Sequence, residues 1–139
     1  MRIKQIHPAF IMPTKGSSNA AGWDLYMPED GWVGSTPAAI KLGFSTAIPE
    51  NHVGLILPRS SAGSNGLRLA NTMGVIDSDY RGEWIAKIQC DPAKGTYQWK
   101  AGERILQLVI LPVSRHELML VEDLDDTDRG AGGFGSSGL

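Results

Sequence analysis

Glycine and proline interrupt this chain so often that no long helix has room to form. Its 17 glycines and 8 prolines separate short apolar runs, and no stretch beyond about ten residues keeps apolar side chains at the 3.6-residue spacing of a helix face. Where a regular period survives, it is two. In WIAKIQC, 84 to 90, Trp84, Ala86, Ile88 and Cys90 fall on one side, with Lys87 and Gln89 on the other, the pattern of a half-buried strand. HVGLILP (52–58), RILQLVILPV (104–113) and HELMLVEDL (116–124) are shorter or more continuously apolar, as strands covered on both faces would be. Many short strands separated by turn signals predict an all-β sandwich or barrel. SSAGSNG, 60 to 66, predicts a single helical turn.

At 139 residues the chain fits one domain with a real core. Thirteen Lys and Arg against fifteen Asp and Glu leave a formal charge of −2, which gives no footprint for nucleic acid or an anionic membrane. No apolar run approaches the roughly 18 residues of a membrane span, and MRIKQIHPAF lacks the pattern of a signal peptide. These features predict a soluble protein of the cytoplasm or another intracellular compartment, the host cytoplasm if the source is viral. Cys90 is the lone cysteine, so neither a disulfide framework nor a cysteine zinc site is available, and a buried, inert thiol is expected. His7, His52 and His116 have no paired metal-ligand spacing.

Several nucleotide and hydrolase signatures can be excluded. Gly130, Gly132 and Gly135 satisfy GxGxxG, but the pattern has meaning only between a strand and a helix, and here four residues follow it. There is no P-loop lysine and no GxSxG serine. What remains is a set of polar residues in apolar settings. Gln107 lies inside RILQLVILP, where an unsatisfied amide would cost about 1–3 kcal/mol, so a partner is required. PRSSAG (58–63) ends a strand with an arginine, hydroxyls and glycine, able to offer several donors to a phosphate. GVIDSDYRGEW (74–84) puts Asp77, Asp79 and Tyr80 on a turn, and AGWDLY (21–26) sets Asp24 among apolar neighbours. Taken singly these are turn residues, caps and packing; together they fit a magnesium-nucleotide site, with acids for metal and water and bases for phosphates.

The chain closes on RGAGGFGSSGL, 129 to 139, with five glycines among eleven residues. Such a segment does not fold on its own account, yet it carries Arg129, suited to anions, and Phe134, suited to stacking. EDLDDTD, 122 to 128, precedes it as a solvated, self-repelling linker.

In order and spacing, AGWDLY, PRSSAG, NTMGVIDSDYRGEW (71–84), GERILQL (102–108) and RGAGGFGSSG (129–138) resemble the five motifs of the trimeric dUTPases. The resemblance implies a jelly-roll or distorted β-barrel subunit of the β-clip kind over residues 1–128, with residues 129–139 as a C-terminal lid that completes the active site of a neighbouring subunit. It implies a homotrimer with three interfacial active sites, and Mg²⁺-assisted hydrolysis of dUTP to dUMP and pyrophosphate. That reaction keeps uracil out of DNA and supplies dUMP for thymidylate synthesis.

Roles follow position by position from the same resemblance. Asp77 would hold the attacking water and the sugar 3′-hydroxyl, and Gln107 would touch the phosphate or the water. Asp24 would sit near magnesium, through a metal-bound water, with the ion held mainly by substrate phosphates. Arg59, Ser60 and Ser61 would serve the phosphates, joined by Arg129, Ser136 and Ser137 from the lid; many family members have threonine where this chain has Ser137. Asn71, Gly74, Val75 and Tyr80 would form a hairpin-like pocket for uracil and deoxyribose, and Phe134 would stack on the base.

Two rivals differ in class. The related dCTP deaminases place a glutamate where this chain has Lys87 and tend to tryptophan where it has Tyr80, which argues against deamination. A regulatory or protein-binding protein with secondary catalysis would need a dedicated surface, and no extra insert between motifs supplies one.

Overall fold

The computed structural model describes residues 1–133. Its strands are β1 (Arg2–Gln5), β2 (Trp23–Tyr26), β3 (Gly31–Val33), β4 (Ala38–Lys41), β5 (Phe44–Ala47), β6 (His52–Pro58), β7 (Leu67–Leu69), β8 (Gly74–Ile76), β9 (Ile85–Cys90), β10 (Tyr97–Trp99) and β11 (Arg104–Pro112). A five-residue helix, α1 (Ser60–Ser64), follows β6, and a 3-10 turn spans Pro92–Lys94. The expected helical turn is therefore present.

All strand pairs are antiparallel. They form a four-stranded sheet, β2-β11-β6-β8, a three-stranded sheet, β4-β9-β7, and the pairs β1-β5 and β10-β3. These short sheets wrap one apolar interior, giving an all-β fold of the kind the punctuation predicts, and the distorted barrel that the resemblance implies. β9 behaves as its two-residue period predicts: Ala86, Ile88 and Cys90 are buried while Ile85 and Lys87 are exposed. Trp84, fully buried, packs on Phe44 with ring centroids 5.2 Å apart and donates its indole N–H to Thr46 Oγ1 at 3.0 Å. A buried Trp needs such a partner for its polar edge. Gly54 of β6 admits this ring, since a Cβ there would lie 2.7 Å from Trp84 Cη2.

β6 and β11 form the long spine of the four-stranded sheet, in register from Leu106↔Pro58 to Pro112↔His52. Two expectations fail around this spine. HELMLVEDL is not a strand: the chain after β11 runs without sheet pairing among the described residues, and Leu118, Met119, Leu120 and Leu124 are exposed. Its apolar composition favours extended structure, but a strand needs a neighbour for its backbone groups. Residues 71–80 are not a hairpin in the pairing sense either, because β7 pairs with β9 and β8 with β6. A tight turn at Asn71–Met73, with Met73 N donating to Asn71 O at 2.7 Å, carries the chain from one sheet to the other.

Candidate active site

Asp24, Gln107 and Arg59 meet because of sheet register. Gln107 stands opposite Asp24 of β2 on one side and Leu57 of β6 on the other, and Arg59 immediately follows β6. Asp24 is buried, 8% exposed, and both of its oxygens are engaged. Arg59 Nε lies 2.8 Å from Oδ1, and Arg104 Nη1 donates to Oδ2 at 3.2 Å. Arg59 also donates through Nη1 to Arg104 O at 3.1 Å, and its backbone N–H to Ile105 O at 2.9 Å. Two guanidinium groups on one carboxylate leave this corner with a net positive charge, rigidly held.

Gln107 has the partner its setting demands, donating Nε2 to Pro58 O at 3.1 Å. Its amide oxygen lies where a Cβ on Gly22 would approach to 2.8 Å, so a larger residue at the second position of AGWDLY would push the Gln107 amide aside. Ser60 and Ser61 open α1 and are exposed. Arg59 is the residue that caps this helix, with no side-chain cap bond, so the hydroxyls and first-turn N–H groups face outward without helical acceptors. Carboxylate, amide, arginines and hydroxyls thus converge at the Pro58 end of β6, where the arginines, amide and hydroxyls are donors suited to phosphate oxygens and the carboxylate holds the arginines in place.

Asp77 belongs to a second group. It follows β8, whose Ile76 pairs with Gly54, and begins a turn closed by Tyr80 N donating to Asp77 O at 3.2 Å. Arg81 ties the turn down from Nη1, to Ser78 O at 2.7 Å and Tyr80 O at 3.0 Å. The Tyr80 hydroxyl donates to Glu83 O at 3.0 Å, and its ring lies so close over Gly82 that no side chain fits there. Asp77 is exposed and lines an open cavity of about 780 Å³ with Val75, Ser78, Asp79 and His52. Gly74 is buried against Ile56, where a Cβ would come within 3.0 Å of its Cβ. Asn71 is exposed, and Thr72 beside it has φ 66°, a left-handed conformation that β-branched residues avoid.

The two groups do not meet within one chain. Ser60 lies beyond one end of β6 and Asp77 is level with the other half; six residue steps along a strand span about 20 Å. Arg129 is exposed on the chain beyond β11, where its Nε donates to Gly132 O at 2.9 Å. Phe134, Ser136 and Ser137 lie outside the described residues.

A magnesium ion fits this set in one way. Among the described residues no three His, Cys, Asp or Glu side chains cluster as a cage, and Asp24 has given each oxygen to an arginine. A carboxylate oxygen retains a second acceptor direction, so Asp24 can still receive a metal-bound water, and Mg²⁺ commonly keeps several waters and completes its shell with phosphate oxygens. Arg104 is the residue that sequence reading missed. It is 80 positions from Asp24, and only the β2-β11 pairing, which sets it opposite Tyr26, brings them together.

Fold and clamp together define an all-β subunit with a buried carboxylate held by two arginines and polar residues that fall into two separated groups. The dUTPase family profile matches residues 9–138, and the chain belongs to that family. It is 42% identical over 143 residues to the deoxyuridine 5′-triphosphate nucleotidohydrolase of Syntrophotalea carbinolica, covering 100% of this chain and 97% of that protein. The corresponding protein of Escherichia phage T5 is also 42% identical, over 151 residues, covering 99% and 98%. Among solved structures, the Staphylococcus bacteriophage 80alpha dUTPase with dUpNHpp superposes with a TM-score of 0.87 at 30% identity, covering 99% of this chain and 98% of that one. A phage phi11 dUTPase of S. aureus, described for coordination of a structural Mg(II) ion, gives a TM-score of 0.78 at 26% identity, covering 88% and 96%.

Proposed function

We propose that this protein hydrolyses dUTP to dUMP and pyrophosphate. The observation that carries the reading is the Asp24 clamp: a carboxylate holding Arg59 and Arg104 beside Gln107, Ser60 and Ser61, in a chain that spans dUTP nucleotidohydrolases from end to end. Arg59, Ser60 and Ser61 receive the phosphate chain. Asp24 would take Mg²⁺ through a metal-bound water while the phosphates hold the rest of its shell, and the ion would supply positive charge that offsets the negative charge of the substrate.

Asp77 orients a water and accepts its proton as the oxygen bonds to the α-phosphorus. The bond from that phosphorus to the bridging oxygen breaks, and pyrophosphate leaves with the electron pair. Gln107 helps position the water or the phosphate. Val75, Gly74 and Asn71 line the base, Tyr80 packs beneath the deoxyribose, and Arg129, Phe134, Ser136 and Ser137 close over the nucleotide as a lid.

Because the two groups are about 20 Å apart along β6, the site is completed between copies of the chain, with a homotrimer as the assembly. The exposed Leu118, Met119, Leu120 and Leu124 support this, since so much apolar surface in sequence calls for a covering partner. No helix among the described residues is long and apolar enough to cross a membrane, and the working place is the cytoplasm, of a host if the source is viral. The product then serves thymidylate synthesis while uracil is kept out of DNA.

The test is pyrophosphate release from dUTP, dTTP, dCTP and UTP, each with magnesium and with a chelator. Release from dUTP alone, supported by magnesium, is expected. Silence on all four would remove the activity and leave only the fold.

A further inference from the structure

We propose a second oxyanion site, sharing no residue with the Asp24 clamp, in a cavity of about 340 Å³ lined by Arg2, Lys4, Ser45 and Arg81. β1 and β5 form one wall. Arg2 stands opposite Ala47 and Lys4 opposite Ser45, and directly opposed residues project to the same side of an antiparallel pair. Two cations and a hydroxyl therefore share one face, and Arg81 adds a third cation from the turn after Asp77.

The charge of this cavity is not neutralised. No carboxylate lines it, and among the described residues none of Arg2, Lys4 and Arg81 forms an ion pair, although Arg59, Arg68, Arg104, Lys41 and Lys100 all do. Arg81 gives only Nη1 to backbone carbonyls, which leaves Nε and Nη2 as donors.

Ser45 is an independent sign of a ligand. It is 6% exposed, yet its hydroxyl makes no hydrogen bond among the described residues and is not sealed off as a fully buried orphan. A nearly buried hydroxyl normally has a partner. Here the partner comes from the cavity it faces.

Three cations and a hydroxyl in one small concavity fit a compact phosphate-type anion of multiple charge, with inorganic pyrophosphate as the match in size and charge. A nucleic-acid strand would need a track of cations along its backbone, and the chain carries a net charge of −2. Arg81 also lines the Asp77 cavity and fastens the Asp77 turn, so an anion here bears on that turn from behind.

The experiment is a calorimetric titration of the full chain with inorganic pyrophosphate in metal-free buffer, comparing wild type, Arg2→Gln/Lys4→Gln and Arg59→Gln. Wild type is expected to show two classes of site. The double variant loses one class, with affinity lowered about tenfold or more, as expected for removal of charge-assisted bonds, while Arg59→Gln keeps that class. Ser45→Ala weakens the same class by a few-fold, and Arg2→Glu, at an exposed position, abolishes it without disturbing the core. A double variant that binds like wild type, or a wild type whose only class is kept in the double variant and lost in Arg59→Gln, overturns the proposal. Binding is read without dUTP turnover, so failure here is separate from failure of the proposed activity.

Discussion

Asp24 and Asp77 are the two aspartates of the proposed site, and they are held in opposite ways. Asp24 is buried between Arg59 and Arg104 at the Pro58 end of β6, with both oxygens bonded. Asp77 lies exposed at the mouth of an open cavity, in a turn fixed through backbone carbonyls rather than through its own carboxylate. The first fixes geometry before a ligand arrives, as electrostatic preorganisation requires. The second leaves a carboxylate exposed and unpaired, as the proposed role of proton acceptor requires. A buried, doubly paired carboxylate is a poor base, and an exposed, unpaired one is a poor anchor.

The largest expected effect breaks the Asp77 side. Asp77→Asn should lower dUTP turnover by about 10²–10⁴-fold, the span of a general base, while nucleotide binding and melting temperature stay near wild type. Retention of the wild-type rate in a pyrophosphate-release assay would falsify the assignment. Deleting residues 129–139 should come next, with turnover reduced about 10²-fold or more through loss of closure and an unchanged unfolding midpoint. An unfolded product would make the segment structural.

The Asp24 side should respond in both stability and activity. Asp24→Ala leaves two guanidinium groups facing each other, and a loss of about 1–3 kcal/mol in urea unfolding is expected, with weaker substrate binding. Arg104→Gln should reproduce a smaller share of both, because Arg59 keeps its bond to Asp24. Full activity and stability in Arg104→Gln would show that one arginine suffices.

Thr72→Gly should stabilise by about 0.5–1 kcal/mol by relieving the left-handed threonine, and should loosen discrimination between dUTP and dTTP if that strain holds Asn71 in place. The smallest effect lies outside both groups. The hydrogen bond from Lys100, then that from Ala101 N–H, hold the Asp30 carboxyl below its usual range. Its contribution is present above the ordinary carboxylate pKa and is lost as pH falls through the lowered value. Asp30→Asn should therefore differ from wild type in urea midpoint at neutral pH and converge with it in acid.

Local signals were legible and long-range ones were not. The alternation in WIAKIQC located β9 and its buried face because period two belongs to one strand alone. Gln107 announced its need for a partner because an amide set within an apolar run must be satisfied, although only the structure identifies that partner as Pro58 O. The resemblance of five motifs carried most of the site. Arg104 remained invisible because its role depends on pairing between segments 80 residues apart. HELMLVEDL misled for a related reason: strand propensity was present, but no strand among the described residues pairs with it. The segment from Asn71 to Tyr80 was expected as a hairpin-like pocket, and the flanking strands β7 and β8 join different sheets rather than pairing with each other.

β6 also works as a spacer of fixed length. Point changes on it alter packing, but inserting one residue would lengthen it by about 3.3 Å and turn every later side chain to the opposite face. Leu57 and Pro58 would then lose their places opposite Gln107 and Leu106. The tolerance of this strand should thus be asymmetric, permissive toward many substitutions and severe toward any change in count, so an insertion-and-deletion scan would find it more sharply than a substitution scan.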